Sequence, residues 1–224
     1  MTAVTEASLL AAWEAALPRP RRDRALVLAG VVTGVSTDGL QDLPIGAVDA
    51  YLLDLREGCF GAMLDCLVDC PGCGEELEAN VDVAELRFPP AEEHTREVNV
   101  GGRSLVVRAL TSRDLLATGD RGSLVRRCLA EGDVTDDVLD LVGNIIDELD
   151  PQATPAVELD CPNCRRTWMA PFDIADFVWQ EVDRCARRTL HEIHVLAAAY
   201  GWREDDVLAL TPLRRSYYLQ AAGT

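Results

Sequence analysis

The chain has 224 residues, 48% of them hydrophobic, which is enough to bury a real core as one large domain or two small ones and excludes a disordered segment. Its 38 acidic and 21 basic residues give a formal net charge of −17, and apart from three histidines every basic residue is an arginine. Phosphate backbones are bound by clustered cationic side chains, so this balance argues against a nucleic-acid partner and for neutral or basic protein surfaces.

The N-terminal residues Met1 to Glu6 lack the basic start of a signal peptide, and Trp13 and Glu14 interrupt the first apolar stretch. The longest apolar run, Ala25 to Val32, is far shorter than the roughly 20 residues of a membrane helix. A soluble, cytoplasmic protein is expected. "TEASLLAAWEAAL", residues 5–17, reads as an amphipathic helix capped by Thr5 and ended by Pro18 to Arg22. A second helix is expected over 23–33 and a third from Pro44 through "PIGAVDAYLLDLREGCF".

Next comes "DCPGCGEELEANVDVAEL", residues 69–86, which is repeated without a gap as "DCPNCRRTWMAPFDIADF", residues 160–177. Cys70 and Cys161, Cys73 and Cys164, Ala79 and Ala170, Asp82 and Asp173, and Ala84 and Ala175 are all 91 positions apart, which marks a duplicated structural unit. Each C-x2-C places two sulfurs on one tight turn, and the Pro-Gly and Pro-Asn centres supply the turn chemistry, with Gly74 free to take a left-handed conformation. Two such turns complete a tetrahedral four-thiolate site whose usual occupant is a single structural zinc. Either the two knuckles meet in one shared site across a pseudo-twofold axis, or each binds metal with other partners. Four thiolates leave no open position for a catalytic water, and the paired copies without a preceding βαβ pattern disfavour a thioredoxin-like redox role. The remaining Cys59, Cys66, Cys128 and Cys185 lie singly in helical patterns and read as buried free thiols.

"ELEANVDV" alternates like a strand, and "REVNVGGRSLVVRAL" reads as a hairpin turning at Gly101-Gly102, so a small antiparallel sheet around the metal is expected. Thr111 and Asp114 stand at capping-box spacing before "TSRDLLATG", with helices following over 121–131 and 134–149. The acidic residues Asp133, Asp136, Asp137, Asp140, Asp147 and Glu148 read as solvated helix faces. After the second knuckle the longest helical pattern ends at Gly201, with Ile174, Phe177, Val178, Val182, Cys185, Leu190, Ile193 and Leu196 as its apolar stripe. A short helix near 203–209 and one capped at Thr211-Pro212 complete the chain.

The fold class is therefore α+β and mainly helical, with a zinc-ribbon-like antiparallel sheet clamped between helical sections. Its expected organisation is an N-terminal helical section over 1–66, the first knuckle and hairpin over 67–110, a helical insertion over 111–156, and the second knuckle with long C-terminal helices over 157–224, packed as one unit.

Catalysis finds no specific support. His191 and His194 are three residues apart, whereas a metalloprotease helix needs histidines at i and i+4, and no G-x-S-x-G elbow, phosphate-cradling loop or dinucleotide fingerprint occurs. A metallohydrolase using His191 and His194 would need a second metal. The C-terminal Tyr200, Trp202, Arg214, Arg215, Tyr217 and Tyr218 gather the residue types enriched at protein interfaces, and packing of the terminal helices is the other reading of the same rings.

The succession "LLAAWEAAL", "RDRALVLAG", "LPIGAVDAYLLDLRE", "CFGAML", "CPGCGEELE", "LTSRDLL", "RCL", "LDCPNCRRTW", "PFDIADFVWQEVDR" and "HEIHVLAAAYGWREDDVLALTPLRRSYYL" resembles the baseplate hub assembly family of T-even-type phages, in its zinc-containing branch associated with phage-tail-like contractile injection systems. The resemblance spans nearly the whole chain and implies a non-enzymatic assembly chaperone or minor baseplate component, with hub, spike or wedge proteins as partners. It implies Cys70, Cys73, Cys161 and Cys164 as metal ligands, in agreement with their spacing, and brings no catalytic residues. A zinc-ribbon adaptor or regulator, binding other proteins or nucleic acid, is the alternative class.

Overall fold

Thr5 caps the first helix as its position predicts. Its hydroxyl accepts the Ser8 N–H at 3.1 Å while the Ser8 hydroxyl accepts the Thr5 N–H at 2.9 Å, so two otherwise orphaned donors are satisfied reciprocally. The computed structural model describes residues 4–100, 102–117, 120–131, 135 and 138–223. Helices α1 (Glu6–Ala16), α2 (Arg21–Thr33), the short α3 (Thr37–Leu40) and α4 (Ile45–Phe60) form the N-terminal part. Strands β1 (Met63–Asp69) and β2 (Glu76–Asp82) make a first hairpin, followed by a 3-10 turn at Val83–Leu86. Strands β6 (Ala156–Asp160) and β7 (Thr167–Pro171) make a second hairpin, which leads into the 27-residue α8 (Ile174–Tyr200).

The main core lies where these parts meet. Trp13, Leu26, Leu28, Leu52, Leu53 and Leu55 pack with Leu64, Val81, Val157, Ile174, Val178 and Val182, all buried. Fully burying one such side chain contributes on the order of 1.5–3 kcal/mol. Directed contacts fix how the helices sit on one another. The Trp13 indole N–H donates to Asp183 at 2.8 Å, and the Arg24 guanidinium lies 4.5 Å over the Trp179 ring. Arg56, only 3% exposed, donates to both oxygens of Glu181 at 2.9 and 3.1 Å, joining the C-terminal end of α4 to α8.

A second core lies between the two hairpins in sequence. Strands β3 (Thr95–Val100), β4 (Arg103–Arg108) and β5 (Leu129–Glu131) form one antiparallel sheet, packed with α6 (Arg121–Arg127) and α7 (Leu139–Leu149) around Leu105, Val107, Val125, Cys128, Val142 and Ile146. A short α5 (Ser112–Ala117) precedes them. The two parts are stitched at the start of α4. Pro44 offers no capping side chain, and the Gly46 N–H donates instead to Asp150, 104 residues later, at 2.8 Å. A Cβ at position 46 would collide with that carboxylate, so glycine is required there.

Mainly helical architecture with small antiparallel sheets is as the sequence predicts, but the sheet is divided. Each knuckle hairpin is its own two-stranded sheet, and the hairpin of residues 95–108 belongs to the second core. Gly102 turns that hairpin at φ +81°, while Gly101 lies outside the described residues. The helix expected over 121–131 stops at Arg127 because pairing to β4 wins over helix continuation: the Arg108 N–H donates to the Cys128 carbonyl at 2.8 Å and Leu129 sits opposite Val107. The one expected over 134–149 is helical from Leu139, with Asp133, Asp136 and Asp137 outside the described residues. Asp140, Asp147 and Glu148 lie exposed on α7 as their pattern predicts, and Asp140 and Glu148 also pair at the surface with Arg121 and Arg96 at 2.5 and 2.6 Å.

At the C-terminus, α8 ends at Gly201 in the left-handed region with φ +68°, followed by α9 (Glu204–Leu208) and α10 (Pro212–Ala221), with Thr211 capping the latter. In the predicted stripe of α8, Leu190 is 39% exposed, and Trp179, Ala186 and Thr189 are buried in the row instead. Of the four single cysteines, Cys128 is buried and Cys59, Cys66 and Cys185 are half-buried; Cys66 lies on β1 rather than in a helix.

Asp114 organises the second part. Its carboxylate, 1% exposed, accepts from Arg108 at 2.7 and 2.9 Å, from Arg127 at 3.2 Å, and from the Thr111 hydroxyl and N–H at 2.7 and 3.1 Å. Burial alone would raise its pKa, but donation from Arg108 and Thr111 outweighs burial and holds it at about 2. A carboxylate depressed in the folded state adds stability above its unfolded pKa of about 4 and loses it as the pH falls toward 2. Asp114→Asn is therefore expected to lower stability at pH 7 by about 2 kcal/mol or more and to flatten the acid limb between about pH 4 and 2, as measured by urea unfolding at a series of pH values.

Candidate metal centre

The two copies of the duplicated unit have the same backbone design. In the first hairpin Asp69 pairs with Glu76 and Met63 with Asp82; in the second Asp160 pairs with Thr167, which is the same register 91 positions on. Each C-x2-C forms the hairpin's turn. The Cys70 N–H donates to the Glu75 carbonyl at 2.8 Å and the Gly74 N–H to the Cys70 carbonyl at 2.9 Å; the Cys161 N–H donates to Arg166 at 2.9 Å and the Arg165 N–H to Cys161 at 2.8 Å. Even the helix starts correspond. Asp82 accepts the Ala84 N–H at 2.8 Å to begin the 3-10 turn, and Asp173 accepts the Asp176 N–H at 2.9 Å to begin α8.

The turn closes through a left-handed residue at the position after the second cysteine. In the first copy this is Gly74, φ +72°; in the second it is Arg165, φ +60°, the only non-glycine with positive φ among the described residues. A side chain in that region costs about 1–2 kcal/mol, so the second knuckle holds strain that the first avoids.

The hairpins meet tip to tip. Cys70 Sγ lies 3.6 Å from Cys164 Sγ, and Cys73 Sγ lies 3.6 Å from Cys161 Sγ. The shift that carries Cys70 onto Cys161 also carries Cys73 onto Cys164, so the two contacts are equivalent across a pseudo-twofold axis. All four sulfurs lie within 4.8 Å of one another and can hold one metal ion; no other cluster of three or more Cys, His, Asp or Glu ligands has this geometry among the described residues. Cys70 and Cys161 face the interior at 2% and 1% exposure, and Cys73 and Cys164 face solvent.

Polar hydrogens surround the sulfurs. The Gly72 N–H donates to Cys70 Sγ at 3.4 Å, and the Asn163 amide, at the matching position of the other knuckle, reaches across to Cys73 Sγ at 3.8 Å. Burial opposes ionisation of Cys70, yet the N–H groups of Gly72 and Cys73 and the neighbouring thiols pull it down to about 6. At Cys164, donation from the Arg166 backbone favours the thiolate, but burial and the three other sulfurs push it up to about 12. Four thiols this close accommodate one negative charge readily and four only when a cation shares them.

The other expected sites are placed differently. Glu192, between His191 and His194, accepts from Arg215 at 3.1 Å, and both histidines are exposed on α8. Tyr200, Trp202 and Tyr218 pack on one another, with centroids 4.9 Å apart for Tyr200–Trp202 and for Trp202–Tyr218. Arg215 is 1% exposed and pairs with Glu6 and Glu192 inside the chain. Arg214 and Tyr217 remain exposed on α10 beside Leu213. Sequence reading missed Asp49, a buried acid on α4. Its signal was an aspartate three and four residues before Leu52 and Leu53, on the apolar face of a helical pattern.

The model of one family, the T4 bacteriophage base plate proteins, matches residues 27–150, more than half of the chain. The chain belongs to that family. Comparison with curated proteins and with solved structures found no match. The base plate family match begins within α2 and closes at Asp150, so it takes in Cys70 and Cys73, the second core and the Gly46–Asp150 stitch, while Cys161, Cys164 and α8 lie beyond it. Among the described residues of this base plate protein, no helix is long and apolar enough to cross a membrane.

The strain at the knuckle gives a direct test. Arg165→Gly is expected to stabilise the fold by about 1 kcal/mol and Gly74→Arg to destabilise it by a similar amount, compared by chemical unfolding with metal content held equal.

Proposed function

We propose that the chain is a non-enzymatic hub assembly protein of the baseplate of a phage-tail-like contractile injection system, made in the cytoplasm, with one structural zinc that clamps its two hairpins. The base plate family match over residues 27–150 carries this reading. Zinc is the occupant best suited to the donor set. A tetrahedral ion with sulfur at about 2.3 Å from the metal sets its ligands about 3.8 Å apart, close to the 3.6 Å of the two cross-hairpin contacts. Closed four-thiolate sites leave no coordination position for substrate, which suits a scaffold rather than a catalyst. The net charge of −17 favours basic or neutral faces on hub, spike or wedge proteins as partners. The exposure of Leu213, Arg214 and Tyr217 supports placing one such contact on the outer face of α10, with Tyr200, Trp202, Arg215 and Tyr218 holding that helix in place.

Two measurements test the reading. Elemental analysis of the purified chain is expected to give one zinc, and Cys70→Ser or Cys161→Ser is each expected to release it with a severe loss of thermal stability, since structural zinc contributes on the order of 10 kcal/mol in small zinc-dependent folds. Metal retained by both variants would contradict a shared site. In cells that build the particle, the tagged chain is expected to co-purify with a hub, spike or wedge protein, and its deletion to abolish assembled baseplates. Mass spectrometry of finished particles then separates a chaperone, which is absent, from a component, which stays. Salt-dependent DNA binding in place of these partners would overturn the assignment.

A further inference from the structure

Asp49 is a buried acid without a partner. It lies one turn into α4 at 7% exposure, and it makes no hydrogen bond or ion pair among the described residues. The other buried carboxylates are satisfied, Asp114 by Arg108, Arg127 and Thr111, and Asp150 by the Gly46 N–H. Buried carboxylates are nearly always paired within the protein, whereas the oxygens of Asp49 keep only a small contact with solvent, a poor substitute for full hydration. The charged neighbours of Asp49 aggravate the deficit: burial first, then the negative charges of Asp173 and Asp150, push its carboxyl up to about 8.

Asp49 lines a surface cavity of about 570 Å³ between α2, α4, the segment 153–155 and the start of α8. Ile45, Leu115, Pro155 and Phe172 give the cavity apolar walls. Its rim carries two arginines that are engaged elsewhere: Arg21 with Asp173 and Asp176 at 2.7 and 3.1 Å, and Arg22 with the Leu115 carbonyl at 2.6 Å. The three aspartates do not converge closely enough to hold a metal ion, since the four cysteines are the only such cluster among the described residues. Apolar walls with an unpaired acid as one boundary match the two ends of a long basic side chain, whose stem packs against carbon while its head finds a carboxylate.

We propose that the cavity over Asp49 takes a basic side chain, lysine or arginine, from a neighbouring baseplate protein. A cationic head entering beside Asp49 displaces its proton to solvent and pairs with the carboxylate that results; Asp150, whose partner is the neutral Gly46 N–H, adds to the attraction, while Asp173 is already paired with Arg21. The partner's identity as a baseplate protein rests on the proposed function; the chemistry of the cavity does not.

The test uses the full chain with its metal and three small probes: N-acetyl-arginine methylamide, N-acetyl-lysine methylamide, and the norleucine counterpart, which has the stem without the charge. Amide NMR shifts are expected to move saturably at residues 46–53 and 153–155 with at least one basic probe and not with norleucine. In Asp49→Asn, whose melting temperature is expected to equal or exceed that of the unaltered chain, affinity is expected to fall about tenfold or more. Thr154→Trp, which narrows the mouth from an exposed position, is expected to abolish the shifts without touching the acid. No saturable response to either basic probe, equal affinity in Asp49→Asn, or equal binding of norleucine would overturn the proposal. A chain that binds the probes yet never enters a baseplate would sink only the functional reading.

Discussion

Crowded sulfur is the constraint on which the architecture turns. Two hairpins, distant in sequence, place four Sγ atoms within 4.8 Å of one another, and each close contact joins one hairpin to the other rather than two residues of one turn. Crowding drives the thiols apart in acidity, Cys70 downward and Cys164 upward. The hairpins also seat the main core, since Leu64 and Val81 of one and Val157 of the other pack in the same cluster as Leu52, Val178 and Trp13. The meeting of the two tips therefore joins the parts of the frame on which α4 and α8 rest.

The duplication explains both the symmetry of that frame and its departures. Strand register, turn hydrogen bonds and the capping aspartate are common to both copies. Beyond the cap the copies diverge, into a four-residue 3-10 turn in one and a 27-residue helix in the other. Between the copies sits a segment with its own core, tied back by the hydrogen bond from Gly46 to Asp150 and by the backbone bond from Ile45 to Leu110 at 3.0 Å. Loop-closure cost grows only slowly with length, so a long insertion between two hairpins that meet at their tips is tolerated.

Much of this was legible in the residues. The paired knuckles, the Thr5 and Thr211 caps, the glycine end of α8 and the mainly helical class all follow from local spacing, because caps and tight turns are decided by side chains a few positions apart. Strand β5 was not legible, since Leu129 is taken out of a helical pattern by pairing with Val107, a long-range contact with no local trace. Leu190 fails for a related reason: periodicity fixes a row on the helix, and the neighbours decide how far round the row is covered. At the C-terminus, Arg215 has the composition of an interface residue, yet Glu6 and Glu192 claim it inside the chain. Its role depends on a partner more than two hundred positions away.

The long helix after the second knuckle is a rod shared by both ends of the molecule. Its N-terminal cap is Asp173, close after the second hairpin, and its far end carries Tyr200 and the stacked Trp202. A straight helix of that length spans about 40 Å. Arg56 and Trp13 pin it at Glu181 and Asp183, and Glu6 accepts from Thr189 further along, so the hairpin and the aromatic end are fixtures on one stiff support.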